Sequence, residues 1–395
     1  MRLHHYVFAG VIFLAMTQYL LHVNLEHCRN MLDKSSYRHP YLSSFIMQSR
    51  DIVTTLPEKC AINFYGLPRA FGALVLPSVL QNVIRTNKDH RCDYFVHFYN
   101  QTEEAAGRSG SGGKIHADDI LGLRHAVHQE YANAGLELPV VKFSSDTNES
   151  FHQYHQKLME EVLTRKDETG ERPLYLPWME KDYQFPGTIV NIFKMMHSIH
   201  QAWNLMEAHG RTNGINYTRV AMLRADVVFL SPIDLRDSGV TKRIEDSENN
   251  WVVIPSFARY PVCDRAIYGN AQGVRQWATG RFKGLSQHVE YFRGSGYVMH
   301  NERFVDSTLL ASIRQSGIQV LEHPSLCFCR ARADNRVWFN DCTKGDASSE
   351  LKKMFPNDAS LISAVERAVQ TNCSQVRKEG TTNTRSIWCG EGPQP

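Results

Sequence analysis

Arg219-Val-Ala-Met-Leu-Arg-Ala-Asp-Val-Val-Phe-Leu-Ser-Pro232 is the stretch that decides the fold. Its apolar, β-branched content reads as a buried strand. Two charges interrupt it, Arg224 and Asp226. Unpaired, they would be costly to bury. Their expected place is the carboxyl end of a parallel strand, where open α/β sheets bind ligands. One reading is a structural Arg–Asp ion pair. The other is a carboxylate facing a nucleotide diphosphate, directly or through magnesium or manganese.

Upstream the pattern alternates between strand and helix. Ala61-Ile-Asn-Phe-Tyr-Gly66 is a short apolar run that predicts a first strand. Residues 71–86 carry apolar residues at helical spacing, with Pro77 as a start or kink. Asp93-Tyr-Phe-Val-His-Phe-Tyr99 predicts a second strand and Pro139-Val-Val-Lys-Phe143 a third. Strand, helix, strand at this spacing implies a parallel unit. Cys60 and Cys92 each precede one of the first two strands. Neighbouring strands lie ~4.8 Å apart, within the Cα range of a disulfide, so Cys60–Cys92 is the expected bridge. The loop Gly107-Arg-Ser-Gly-Ser-Gly-Gly113 follows no strand and opens no helix, which argues against a phosphate loop. Residues 188–209 predict the clearest helix. Ile189, Ile192, Phe193, Met196, Ile199, Trp203 and Met206 form one apolar stripe, read as core. Trp251–Pro255 predicts a further strand.

The chain has 395 residues, 42% hydrophobic, 22% charged, with a net charge of +3 and nine cysteines. The apolar share excludes a largely disordered chain. The small net charge excludes a polybasic nucleic-acid surface. Residues 6–23 form 18 positions without Asp, Glu, Lys or Arg. That is close to the ~20 apolar residues of a spanning helix. No small-x-small site follows the run, so an uncleaved signal-anchor is favoured over a cleaved signal peptide. Residues 1–5 would be a cytoplasmic tail, 24–58 a stem, and the rest luminal. Sequons at Asn100, Asn148, Asn216 and Asn372 agree with that compartment. So does the even count of eight cysteines beyond Cys28. Cys28 beside the membrane is placed to join two chains. Zinc at Cys327-Phe-Cys329 is disfavoured by its one-residue spacer.

The order of several motifs resembles a group of GT-A-like proteins within the Golgi glycosyltransferases. These are Gly66-Leu-Pro-Arg69, Phe95-Val-His97, Arg224-Ala-Asp226, Cys263-Asp-Arg-Ala266, His300-Asn-Glu302 and Arg330-Ala-Arg-Ala-Asp334. The resemblance spans residues 60–342. It implies an α/β fold: a GT-A-like, Rossmann-type, mostly parallel sheet flanked by helices over 59–345. It also implies a glycosyltransferase of the hexosyltransferase type, using a nucleotide-sugar donor and a glycan or glycoprotein acceptor. A type II membrane protein of the Golgi or ER is the matching setting. Donor contacts would come from Gly66, Arg69, Arg224, Asp226, Arg265, Arg330 and Arg332. Asp226 would be the position for manganese or magnesium, and Asp264 and Glu302 the catalytic carboxylates. Glu302 is assigned as general base, because inverting transfer needs a carboxylate to deprotonate the acceptor hydroxyl.

Two departures from the pattern bear on chemistry. The usual metal motif is Asp-x-Asp, and here its first position is Arg224. Guanidinium suits bidentate phosphate contact, so reduced metal dependence is expected. The segment at Cys263–Ala266 also differs at both ends from the group's Asn-Asp-Arg-Phe. His323 is read as either a metal ligand or a core residue. Two alternatives remain open: a GT-A-like protein without activity that binds a glycan or partner, and a luminal sulfotransferase. The second lacks the Ser or Thr that a strand-loop phosphate site needs, since Ala70, Phe71 and Ala73 occupy the loop. Residues 346–395 predict a helical segment and polar tail, with Cys373 and Cys389 as staples.

Overall fold

The computed structural model describes residues 58–106, 112–177, 183–239, 250–256, 260–295, 298–334 and 337–338. The predicted tail, anchor, nearly all of the stem, Cys28, Cys342, Asn372 and the C-terminal segment lie outside these residues. No helix among the described residues is long and apolar enough to cross a membrane.

The first strand, β1, covers Glu58–Gly66. It is followed by helix α1, residues 71–87, in which wide turns at Phe71–Val75 and Leu80–Ile84 alternate with α turns at Leu76–Val79 and Arg85–Asn87. Pro77 therefore neither starts nor ends this helix; the wide turns absorb it. β2 is Asp93–Tyr99, as predicted, and every residue in it is buried. A small hairpin pairs β3, Glu103–Glu104, with β4, Gly113–Lys114. Helix α2 is Gly122–Asn133. β5 runs Val141–Asp146, two residues later than the predicted third strand begins. Two short helices follow, α3 at Asn148–Tyr154 and α4 at Gln156–Thr164.

Helix α5, Gly187–Asn213, buries Ile189, Phe193, Met196, Ile199, Trp203 and Met206, while Ile192 is only half-buried. It ends at Gly214, whose φ of 61° is the left-handed conformation favoured after a helix. The decisive stretch then splits. β6 is Asn216–Arg224, Ala225 and Asp226 turn, and β7 is Val227–Phe229. β8 is Trp251–Pro255, β9 is Ala266–Asn270, and helix α6 is Ala271–Tyr291. Helix α7 covers residues 301–315. Strands β10, Gln319–His323, β11, Phe328–Ala331, and β12, Val337–Trp338, complete the described chain.

Seven strands form one sheet in the order β10-β8-β9-β6-β1-β2-β5. All run parallel except β9, which is antiparallel to both β6 and β8. Strands β12, β11 and β7 form a separate antiparallel sheet. Side chains alternate across the main sheet. Ile62, Phe64, Val96 and Phe98 pack with Val75, Val79 and Val83 of α1 and with Phe229 and Phe328 of the small sheet. Ala61, Tyr65, Phe95 and Tyr99 pack on the other face with Phe193, Met196 and Trp203 of α5 and Trp277 of α6. The sheet is therefore an α/β core covered on both faces, which is why its strands read as continuous apolar runs.

The register Ala61↔Asp93 sets Cys60 beside Cys92, and the two are joined by a disulfide with Cα atoms 4.5 Å apart. Cys60 lies inside β1 rather than before it, because pairing with β6 begins at Glu58.

Candidate functional site

The chain winds from β1 to β2 and β5 on one side, then returns to β6 on the other side of β1. The β1–β6 boundary is thus a topological switch point, and the crevice outside the carboxyl ends of such strands is where open sheets bind ligands. In the register, Tyr65 of β1 stands opposite Arg224 of β6 and His97 of β2. Gly66 ends β1 at a φ of 104°, and its N–H donates to Ser198 Oγ on α5 at 2.8 Å. That turn sends the chain out to Arg69.

Arg69 and Arg224 converge on Asp226. Arg69 Nη1 donates to Asp226 Oδ2 at 2.7 Å. Arg224 grips both oxygens, with Nε to Oδ1 at 2.8 Å and Nη2 to Oδ2 at 2.7 Å. Asp226 is only 2% exposed. Burial pushes its carboxyl up, but Arg224 and then Arg69 outweigh that and hold it well below the usual carboxylate range. Arg224 is held charged in return: Asp226 more than offsets the penalty of burial. Arg69 turns its other two nitrogens to Glu104 of β3, with Nε to Oε2 at 2.6 Å and Nη2 to Oε1. The hairpin carrying Glu104 is seated by Gly113, where a Cβ would approach the Ala333 carbonyl to 3.1 Å.

The predicted arginines of the C-terminal motif arrive at the same place. Ala331 N–H donates to the Asp226 carbonyl at 2.8 Å. Arg330 on β11 stands opposite Val227 and Trp338. Arg332 is buried, and burial, then Arg330, pushes its guanidinium down to about 9, while Asp226 pulls the other way. The guanidinium groups of Arg69, Arg224 and Arg332 thus gather around Asp226, with Glu104 on Arg69 and Arg330 beside Arg332. Such a cluster is chemically suited to a polyanion.

The predicted catalytic carboxylates lie on the α5–α6 side. Asp264 is 7% exposed, which rules out a solvated surface pair, and Asn301 Nδ2 donates to its Oδ2. Asp264 interacts electrostatically with Tyr65, Arg224 and Arg281, so it borders the arginine cluster. Arg265 is buried beside it and offers its backbone carbonyl to the Tyr65 hydroxyl at 3.1 Å. Glu302 sits in the first turn of α7 with Oε2 3.4 Å from His300 Nδ1. It is the more accessible carboxylate, with 21% of its side chain exposed.

The surroundings of Asp226 do not fit a divalent cation. A carboxylate offers about four lone-pair positions, and guanidinium donors take three of them here. Magnesium and manganese need a shell of oxygens. Glu104 gives both its oxygens to Arg69 and supplies no second ligand, and Asp264 gives Oδ2 to Asn301. Among the described residues, the group of His, Asp, Glu and Cys side chains close enough to share an ion is elsewhere, at His97, Asp146 and His197. His323, on β10, accepts the Ser325 N–H at 3.0 Å and belongs to neither group.

Three of the four sequons lie on described residues. Asn100 and Asn216 are exposed at strand ends. Asn148 is half-buried, and its side-chain oxygen accepts from Lys194 at 2.7 Å. Sequence reading missed Glu104 and Arg281, and gave Asn301, inside the His300–Glu302 motif, no role. Arg281 carried one usable signal, since it is a charge on the apolar side of α6.

Fold and site together define an α/β protein with an arginine-rich cluster at the switch point of its sheet. No family model matches the sequence, and no curated protein matches it. Among solved structures it is similar to the apo form of mouse xyloside xylosyltransferase 1, with a TM-score of 0.29, 10% identity, and coverage of 67% of this chain and 84% of that one. A likeness at that level carries no argument.

Proposed function

We propose that this protein transfers a sugar from a nucleotide-diphosphate donor to a glycan or glycoprotein acceptor in the secretory lumen. The observation that carries the reading is the convergence of Arg69 and Arg224 on buried Asp226 at the β1–β6 switch point, with Arg330 and Arg332 alongside. When the sugar C1–O bond breaks, its electron pair passes to the diphosphate oxygen. Guanidinium groups already fixed and mostly buried stabilise that developing charge without reorganising. The carboxylate of Asp226 holds the two guanidiniums in place. Glu302 is the proposed acceptor of the hydroxyl proton, and Asp264 orders the floor of the site through Asn301. The Cys60–Cys92 bridge supports an oxidising compartment.

The test is calorimetry with nucleoside diphosphates in EDTA. The wild type should bind, and Arg224→Ala should weaken binding ten- to hundredfold. Binding of adenosine 3′,5′-bisphosphate instead would favour the sulfotransferase. Diphosphate binding without turnover of any nucleotide-sugar would favour the inactive scaffold. No binding of either sinks the proposal.

A further inference from the structure

On the other half of the sheet, three side chains distant in sequence meet at one point. His97 lies near the carboxyl end of β2, Asp146 ends β5, and His197 lies midway along α5. The pairing Tyr99↔Asp146 brings the first two together, and α5 crosses the same face. Asp146 Oδ2 is 3.0 Å from His97 Nε2 and 2.7 Å from His197 Nε2. All three candidate ligand atoms lie within 4.8 Å of one another. Both histidines are 1% exposed.

The geometry points to a transition-metal site, with zinc as the ion and His97 Nε2, His197 Nε2 and Asp146 Oδ2 as its ligands. Two observations beyond proximity support it. First, the outward-facing atom of each ligand is engaged. His97 Nδ1 is 2.8 Å from Ser198 Oγ, His197 Nδ1 is 3.0 Å from His155 Nε2, and Ser150 Oγ donates to Asp146 Oδ1 at 2.8 Å. Metal-binding imidazoles and carboxylates are oriented by such outer contacts. Second, two imidazoles and one carboxylate suit zinc, not magnesium or calcium, which want oxygens. Zinc bonds of 2.0–2.1 Å in a tetrahedron put ligand atoms roughly 3.3 Å apart, so the 3.0 and 2.7 Å contacts of Asp146 would lengthen by about 0.3 and 0.6 Å. Asp146 keeps 26% of its side chain exposed. An ion can enter there and a water can complete its shell.

The site is separate from the arginine cluster, but one strut joins them. Ser198 Oγ, which faces His97, also accepts the Gly66 N–H at the start of the loop to Arg69. A bound ion would clamp α5 to β2 and β5 and so fix that loop. The zinc site does not depend on the activity proposed above.

The competing arrangement is a metal-free cluster in which Asp146 accepts from both imidazoles. Equilibrium dialysis of the full-length protein against zinc, with elemental analysis, separates the two. One tightly held zinc per chain is expected in the wild type, and visible absorption of a low-coordinate kind after exchange with Co²⁺. Asp146→Asn and His197→Gln should abolish stoichiometric uptake. Because those variants can misfold, Ser198→Ala is the milder test and should weaken zinc ten- to hundredfold. At a hundredfold excess over Kd, zinc should raise the wild-type Tm by roughly 5 °C. Wild-type protein that takes up no stoichiometric zinc, or folded His197→Gln that binds it undiminished, overturns the site.

Discussion

Arg224 donates through Nε and Nη2 to the two oxygens of Asp226, two residues further along its own chain, at 2.8 and 2.7 Å. The pair closes across the turn at which β6 ends. A third donor, from Arg69, reaches the same carboxylate from β1's side. Asp226 therefore acts as an anchor for cations, and this gives its substitution an unusual expected sign.

Asp226→Asn should leave metal-free nucleoside-diphosphate affinity unchanged or tighter, because it removes a negative charge from a site meant for an anion. It should also lower stability, since breaking a buried ion pair costs about 3–5 kcal/mol. Calorimetry in EDTA checks the first statement and urea unfolding the second. If Asp226 instead held a metal–diphosphate, affinity would drop at least tenfold, and only with metal present.

The Cys60–Cys92 bridge closes a loop of 32 residues around α1. Loop-closure entropy assigns such a bridge about 3–4 kcal/mol. The double variant Cys60→Ala, Cys92→Ala should lose that much in chemical denaturation. Both side chains are buried, so part of any larger loss would be cavity cost. A loss below 1 kcal/mol would refute the estimate.

What was legible in the sequence follows the physics of each element. β2 could be read residue for residue because a fully buried parallel strand is a continuous apolar run with clear ends. The β6 reading was right up to Arg224; the turn at Ala225 and Asp226 was hidden by apolar residues on both sides. Helix α6 went unread because Gly273, Gly280 and Gly284 lower helix propensity. Tertiary packing requires them small: a Cβ at Gly273 would come 2.6 Å from Val252 Cγ1, and one at Gly284 2.6 Å from Thr308 Cγ2. In the site, Arg224 and Asp226 stood out as charges in an apolar run. Glu104 did not, since it sits on a two-residue strand in polar surroundings. His97, Asp146 and His197 are 49 and 51 residues apart, and only the β2–β5 pairing under α5 unites them.

Stability should fall on acidification below about pH 6.5, and His288 is one of the histidines whose burial causes it. Its ring packs against Phe292 and Phe304 with centroids 4.6 and 4.9 Å away, and it is 2% exposed. Burial pushes its pKa down to about 4 from 6.5, against a weaker opposing backbone hydrogen bond. Between those values the unfolded chain binds a proton that the fold refuses. Stability is therefore full above about 6.5, declines as pH falls toward 4, and levels off below it as far as His288 is concerned. The ceiling on this effect is on the order of 3 kcal/mol. Urea unfolding across pH 4–7 should show the decline, and His288→Gln should make it shallower, the rest coming from His155, which burial also pushes down to about 4. An unchanged slope in that variant would remove His288 as a source.

Arg281 gives the last prediction. Its guanidinium is fully buried on α6, lies over the Trp277 ring at 4.0 Å, and has no hydrogen-bond partner on any of its three nitrogens among the described residues. Burial pushes its pKa down to about 10, with Tyr65 and Asp264 pulling it back. Stacking on an indole recovers ~2 kcal/mol when desolvated, less than the several kcal/mol that taking a cation out of water costs. Met fills a similar volume without that charge. Arg281→Met should therefore raise stability, because it removes a buried charge that has no hydrogen-bond partner. The expected outcome is a raised Tm, readable by calorimetric scanning. A lowered Tm would show that the attraction to Asp264 and the indole outweighs the desolvation it opposes.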